Sequence, residues 1–289
     1  MNTIRIFFNW ALIAFFSIIV AGCASESPVG PSSDDLRHAI LFQASDTTEA
    51  QSRGTTIGKE DLESFRLYAY QFHNGASPFC SIDGELAYPT DNDDWKTEET
   101  YYWPDKSRTL KFIAYAPADE ENLKLVNPWE TDPTHIYFYY SCPHDVKAQQ
   151  DILFSITRDA VNYGGTDQRV SLWFTHILAN VRFKLRGTDA TRIESITLNG
   201  VYGEGLYYPS WDNWHIYGYN GGQAFKTDYT VYFTPDGKVS DDQTMMIIPQ
   251  TAPAGATIDI RLRDGTFRSA DFSYKTLHAG SLNTINITL

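Results

Sequence analysis

Arg53-Gly54 is the first place where residue types suggest a reaction. The pair sits in a polar stretch, 45–56, without an apolar anchor, so it reads as an exposed loop open to proteolysis. An arginine followed by glycine suits a trypsin-like cut. A second group is aromatic. Trp211 and Trp214, with Tyr207, Tyr208, Tyr217 and Tyr219, stand between glycine turns, and exposed ring faces could stack on sugars. Packing into the core or within a turn explains the same residues and is the reading the sequence favours. A third group, Asp91-Asn92-Asp93-Asp94, has the charge to attract calcium. Trp95, Lys96 and Tyr102 stand where a calcium-binding loop needs a ligand, a glycine and a bidentate glutamate, so a solvated acidic turn is expected.

Catalysis finds no support. The chain has no HExxH, no GxSxG and no phosphate-cradling GxxxxGK[ST]. His176 follows Trp173-Phe174-Thr175 and reads as a hydrogen-bonded structural histidine, while His73, His135, His144, His215 and His278 show no telling spacing. There is no CxxC and no cysteine-histidine cluster, so neither a metal nor another cofactor is expected. Cys80 and Cys142 could pair in an oxidising compartment, which the sequence leaves open.

The elements that must carry these groups follow from composition and pattern. A chain of 289 residues with 42% hydrophobic content can bury one large core or two ordinary ones. A formal charge of −13 repels polyanions, which makes nucleic acid a poor partner. Aromatic residues at 15% favour strands over helices.

The N-terminus carries its own signal. Arg5 precedes an apolar run from Ile6 to Val20, too short for a spanning helix, and the small pair Ala21-Gly22 follows. Residues 1–22 therefore read as a signal peptide. Val20-Ala21-Gly22-Cys23 resembles the lipobox of bacterial lipoproteins, which implies cleavage before Cys23 and acylation of its thiol, with palmitate as one such chain. Several acyl chains hold a protein on a membrane where one does not. Ala24 and Ser25 lack the aspartate associated with inner-membrane retention, which points to the outer membrane, and the small, polar segment 23–35 reads as a flexible tether.

Beyond the tether the pattern alternates. Val181, Phe183 and Leu185 interleave with Arg182, Lys184 and Arg186, and Ile258, Ile260 and Leu262 interleave with Asp259, Arg261 and Arg263. That period of two belongs to half-buried strands. Ile40, Phe42 and Ala44 share one face of a first strand, 37–44. Further runs at 62–72, 110–116, 134–140, 151–156, 192–198, 229–233, 245–248 and 281–289 are separated by turn formers such as Asp83-Gly84 and Asp264-Gly265. Many short strands without helices predict an all-β chain of two tandem antiparallel sandwiches, 36–168 and 169–289, joined near the glycine-rich 162–169.

The order of residues resembles the fimbrillin-like lipoproteins, the type V pilins of Gram-negative bacteria. The resemblance rests on Cys23, on the strand and loop ending at Arg53-Gly54, and on Phe65-Arg66-Leu67-Tyr68-Ala69-Tyr70. Tyr101-Tyr102-Trp103-Pro104, the run from Leu110 to Pro117, Gln150-Asp151-Ile152-Leu153, Leu172-Trp173-Phe174-Thr175-His176 and Ile247-Ile248-Pro249-Gln250 extend it over nearly the whole chain.

What the resemblance implies is a transthyretin-like fold for each sandwich, a surface role as fimbrial subunit or adhesin, and an arginine-specific cut after Arg53. Loss of the strand bearing Ile40, Phe42 and Ala44 would leave an apolar groove with unpaired backbone groups, which a strand from another subunit could refill. Ile285, Ile287 and Leu289 alternate at the C-terminus and form either a donated strand or the strand that closes their own sandwich. The chain ends directly after them, which favours a tip or accessory adhesin over a stalk subunit. Partners would be other pilin subunits and a glycan or protein receptor. The alternative is a glycan-binding outer-membrane lipoprotein that does not polymerise, with Trp211 and Trp214 as its ligand aromatics.

Overall fold

The computed structural model describes residues 38–46, 61–73, 77–92, 94–126, 136–157, 168–187, 190–218, 222–236 and 244–288. Cys23, Arg53, Gly54 and Leu289 lie outside them. The described chain is all-β. In its first half run β1 (Leu41–Asp46), β2 (Phe65–His73), β3 (Phe79–Pro89), β4 (Trp95–Thr97), β5 (Arg108–Ala116), β6 (Leu123–Val126), β7 (Tyr137–Ser141) and β8 (Leu153–Ile156). There follow β9 (Arg169–His176), β10 (Ala179–Arg186), β11 (Ile193–Tyr202), β12 (Glu204–Tyr208), β13 (Asn213–His215) and β14 (Lys226–Tyr232). The last are β15 (Met245–Ile247), β16 (Gln250–Thr251), β17 (Thr257–Leu262), β18 (Phe267–Asp271), β19 (Thr276–Leu277) and β20 (Leu282–Thr288).

Seven strands close a barrel in the order β1-β4-β3-β2-β5-β8-β9. Its interior holds Phe42, Phe65, Leu67, Phe112, Leu172 and Phe174, all at most 1% exposed. Three of its strands, β2, β5 and β8, are buried on both faces, with Leu153 and Phe154 of β8 entering the two cores. In β2, Phe65, Leu67 and Ala69 point inward while Tyr68 and Tyr70 enter a second core. In β5, Phe112 and Ala114 point inward while Ile113 and Tyr115 enter that second core. Such strands read as nearly continuous apolar runs rather than clean alternation. The covering layer is the sheet β13-β12-β7-β6. Phe138 of β7 meets Tyr68, Tyr115 and Phe154 at ring distances of 6.0, 5.7 and 5.0 Å.

The second core continues into a mixed sheet, β15-β10-β20, and an antiparallel sheet, β14-β11-β17-β18. Val181 and Phe183 of β10 are buried as their alternation predicts, and so are Ile258, Ile260 and Leu262 of β17. β20 runs parallel to β10 from Asn180↔Leu282 to Arg186↔Thr288. It lies at the sheet edge with Ile287 buried and Ile285 half-buried, so here it closes its own sheet.

The structure revises several expectations. Asp83-Gly84 is not a turn. It lies inside β3, where the register with β2 skips one residue between Leu67 and Tyr68, and Gly84 adopts φ 69°. A Cβ there would come within 3.2 Å of the Tyr68 hydroxyl, so the bulge admits glycine. The strands β3, β6, β12, β13 and β18 carry too little alternation to stand out. The joint expected near 162–169 falls mostly outside the described residues, but three pairings span the boundary at 168/169: β9 lies between β1 and β8 in the ring, and β7 pairs with β12. Cys80 and Cys142 are both free thiols. Cys142 is buried, with its thiol donating to the Met246 carbonyl at 3.2 Å.

Candidate functional site

The seat of β1 is the best-defined candidate. Alternation places Ile40, Phe42 and Ala44 inward at 4%, 1% and 3% exposure, while Gln43 points outward to solvent. Phe42 sits edge-on to Phe112 at 5.3 Å and to Phe65 at 6.5 Å. Phe65 in turn touches Trp95 at 5.0 Å and Phe174 at 5.4 Å, so an aromatic box encloses the one side chain. Burying a phenylalanine of this kind stabilises a fold by about 1.5–3 kcal/mol through transfer alone.

The backbone partners of β1 come from distant parts of the chain. It pairs in parallel with β9 over six residues, from Leu41↔Arg169 to Asp46↔Phe174. Against β4 it makes one registered pair, Phe42↔Trp95. The preceding residues extend that contact. Ile40 N–H donates to the Tyr101 carbonyl at 2.8 Å, and Trp103 N–H donates to the His38 carbonyl at 2.9 Å. No hairpin ties β1 to either neighbour. It closes the ring, yet among the barrel strands it alone precedes the segment 47–60. Its absence would leave β4 and β9 as two unpaired edges around an apolar groove.

One ion pair spans that place. Arg169, the first residue of β9, donates from Nε to Asp94 Oδ1 and from an Nη to Asp94 Oδ2 at 2.8 Å. Asp94 directly precedes β4, and its side chain is 9% exposed against 35% for Arg169. The register sets the bridge over β1 near Leu41 and Gln43. Asp94, read from sequence as part of a solvated acidic turn, is thus a structural anion with a fixed partner. Only the tertiary fold supplies that partner.

The two candidate ligand tryptophans part company. Tyr207 and Trp214 are cross-strand partners on the inward face of the β12–β13 hairpin. Trp214 lies 5.3 Å from the Tyr207 ring and 6.2 Å from the Tyr140 ring, and its indole N–H donates to the Ile177 carbonyl at 2.7 Å. Gly205 makes room for it, since a Cβ there would lie 3.3 Å from the indole. Trp214 is therefore half-buried and packed against the core. Trp211, by contrast, is 56% exposed, in the short 3-10 turn Pro209–Trp211 between the two strands. Tyr219 lies outside the described residues.

His176 has the structural role its neighbours suggest. Its Nδ1 meets Asp151 Oδ2 at 2.6 Å, with both side chains buried, and this joins the end of β9 to the start of β8. Among the described residues no group of three or more histidine, cysteine, aspartate and glutamate side chains is arranged to hold a metal. No described helix is long and apolar enough to cross a membrane.

A family model described as fimbrillin-like matches residues 50–289. Curated proteins contain no match. Among solved structures, a fimbrial protein from Bacteroides vulgatus superposes with a TM-score of 0.53 at 15% identity, covering 87% of this chain and 96% of its own. A candidate cell adhesion protein from Bacteroides ovatus gives 0.59 at 12% identity, with 87% and 92% covered. Another from Bacteroides uniformis gives 0.50 at 18%, with 87% and 93% covered. At these identities the likeness is one of fold.

Proposed function

The chain belongs to the fimbrillin-like family, and from that premise we propose that it is a non-enzymatic surface lipoprotein that serves as a fimbrial tip or accessory adhesin. Cys23 anchors the uncut chain to the outer membrane, and a protease cut between Arg53 and Gly54 severs that anchor and releases β1. A strand from another pilin subunit then occupies the vacated seat by β-augmentation. The observation that carries this reading is the seat itself: three inward side chains of one short strand, boxed by aromatics and paired to strands with no hairpin link.

The C-terminal strand bears on the subunit's position. Ile285 and Ile287 face the core of their own sheet, and Leu289 continues their alternation in sequence. With β20 engaged along β10, this molecule acts as a strand acceptor, which favours a tip or accessory place over a stalk. The parallel β20–β10 pairing also supplies a precedent for the chemistry, because an incoming Ile-x-Ile strand would lie along β9 in the same sense.

The test is limited digestion of the folded protein with an arginine-specific protease. The expected product begins at Gly54, retains the remaining strands, loses β1 and captures a synthetic peptide of residues 282–289. An intact Arg53-Gly54 bond in folded material, or a cut protein that keeps β1 and takes up no peptide, would refute strand exchange.

A further inference from the structure

Around Trp211 the fold assembles a row of rings that core packing does not require. Trp211, His215 and Tyr217 follow one another at centroid distances of 6.1 and 6.2 Å. Tyr208 supports them, stacked on Trp211 at 5.0 Å with an interplanar angle of 18° and lying 4.8 Å from His215. Tyr137, reaching across from β7, braces Tyr208 at 5.1 Å. The two ends of the row are the open ones, with Trp211 56% and Tyr217 48% exposed.

The display is built into the backbone. Period-two alternation along β12 and β13 sends Tyr207 and Trp214 inward and leaves Tyr208 and His215 on the opposite face. The turn that lifts Trp211 is closed by Asp212 in the left-handed conformation, φ 47° and ψ 50°, an uncommon state for a residue with a side chain. Its carboxylate accepts the Tyr207 hydroxyl at 2.8 Å, which pins the turn to the core. Burial, together with the nearby phenols of Tyr137 and Tyr217, pushes the Tyr208 phenol above its usual range and keeps it a neutral donor.

The chemistry of the row selects a ligand. Each of its rings is flat, apolar on its faces, and carries a polar atom at its edge: an indole N–H, an imidazole nitrogen or a phenol. None of them is a fixed charge, and the carboxylate of the turn is already engaged by Tyr207. A pyranose has the matching surface, with C–H faces to stack and hydroxyls at the rim. The geometry points to a binding site for an uncharged glycan on Trp211, His215 and Tyr217, with Tyr208 and Tyr137 as positioning residues. The site uses no residue of β1 or its groove and is independent of strand exchange.

The test is an array of neutral glucan, galactan and N-acetylglucosamine oligosaccharides, with hyaluronate as the acidic control, probed with the full protein. Wild type is expected to retain at least one neutral class and not hyaluronate. Trp211→Ala and Tyr217→Ala should each weaken that binding by about fivefold or more with the unfolding midpoint held, and Trp211→Phe should keep most of it. Three results would overturn the site: no neutral glycan retained by wild type, unchanged binding in both alanine variants, or variants that alter self-association in sedimentation while glycan binding stays the same.

Discussion

The Asp94 carboxylate grips the Arg169 guanidinium with both oxygens and so ties the strand on one side of β1 to the strand on the other. Bidentate carboxylate–guanidinium pairs combine charge with fixed geometry. Here that geometry sits over β1, whose loss would open the barrel between β4 and β9.

Asp94→Asn should therefore loosen β1 more than the rest of the molecule. Arg169 is one-third exposed, so the expected cost lies between that of a surface pair and that of a fully buried one, about 1–3 kcal/mol. Hydrogen exchange should show lost protection in residues 40–46 with β11 and β17 unaffected. A uniform loss across all sheets would mean that the pair supports the whole fold and not this seat.

Phe42→Ala empties the aromatic box. Truncating a buried phenylalanine costs about 3–5 kcal/mol, part of it from the cavity left behind. The variant should melt earlier and shed β1 faster after proteolysis, whereas Gln43→Ala, on the outward face, should change neither by more than about 0.5 kcal/mol.

The two tryptophans of the β12–β13 hairpin should answer in opposite ways. Trp214→Ala removes an indole packed on Tyr140 and Tyr207 and leaves the Ile177 carbonyl without its donor, for a loss of about 3–5 kcal/mol. Trp211→Ala should stay within about 1 kcal/mol of wild type. Equal losses in chemical denaturation would mean that Trp211 is packed as firmly as Trp214.

Gly84→Ala tests the bulge in β3. A left-handed backbone costs a residue with a side chain roughly 1–2 kcal/mol, and the new methyl would crowd the Tyr68 hydroxyl. Calorimetry should register at least that loss, and Gly84→Asn should recover part of it because asparagine tolerates this conformation.

The cysteines give a pH signature. Burial pushes the Cys142 thiol up to about 12 and the Cys80 thiol up to about 11. In the unfolded chain both ionise near 9, so the stability they lend is complete below that value and fades as pH rises towards 11 and 12. At pH 8 a thiol-specific disulfide reagent should leave Cys142 unmodified in the folded protein and label it on unfolding. Rapid native labelling of Cys142 would contradict its burial.

Side-chain period carried much of this fold in plain view. Ile40, Phe42 and Ala44, Val181 and Phe183, and Ile258, Ile260 and Leu262 are buried on the faces their spacing predicts. Alternation is a local property of the chain, and a strand with one apolar face has one way to turn it. The ordered motifs were equally legible, though not their purpose. Asp151 and His176 belong to two of them and meet as a buried pair, while Gln250, from a third, accepts from Tyr202 N–H and donates to the Tyr202 carbonyl.

The sequence by itself determined an all-β chain with an alternating first strand and an aromatic cluster set between glycine turns. Tertiary structure decided which partners those elements have. Nothing local says that β1 lies parallel to β9, that Arg169 reaches Asp94, or that Trp211 and Trp214 face opposite ways, because each depends on residues far apart in the chain. Pairing across such distances is set by which strands share a buried face, and that is settled only when the whole core closes.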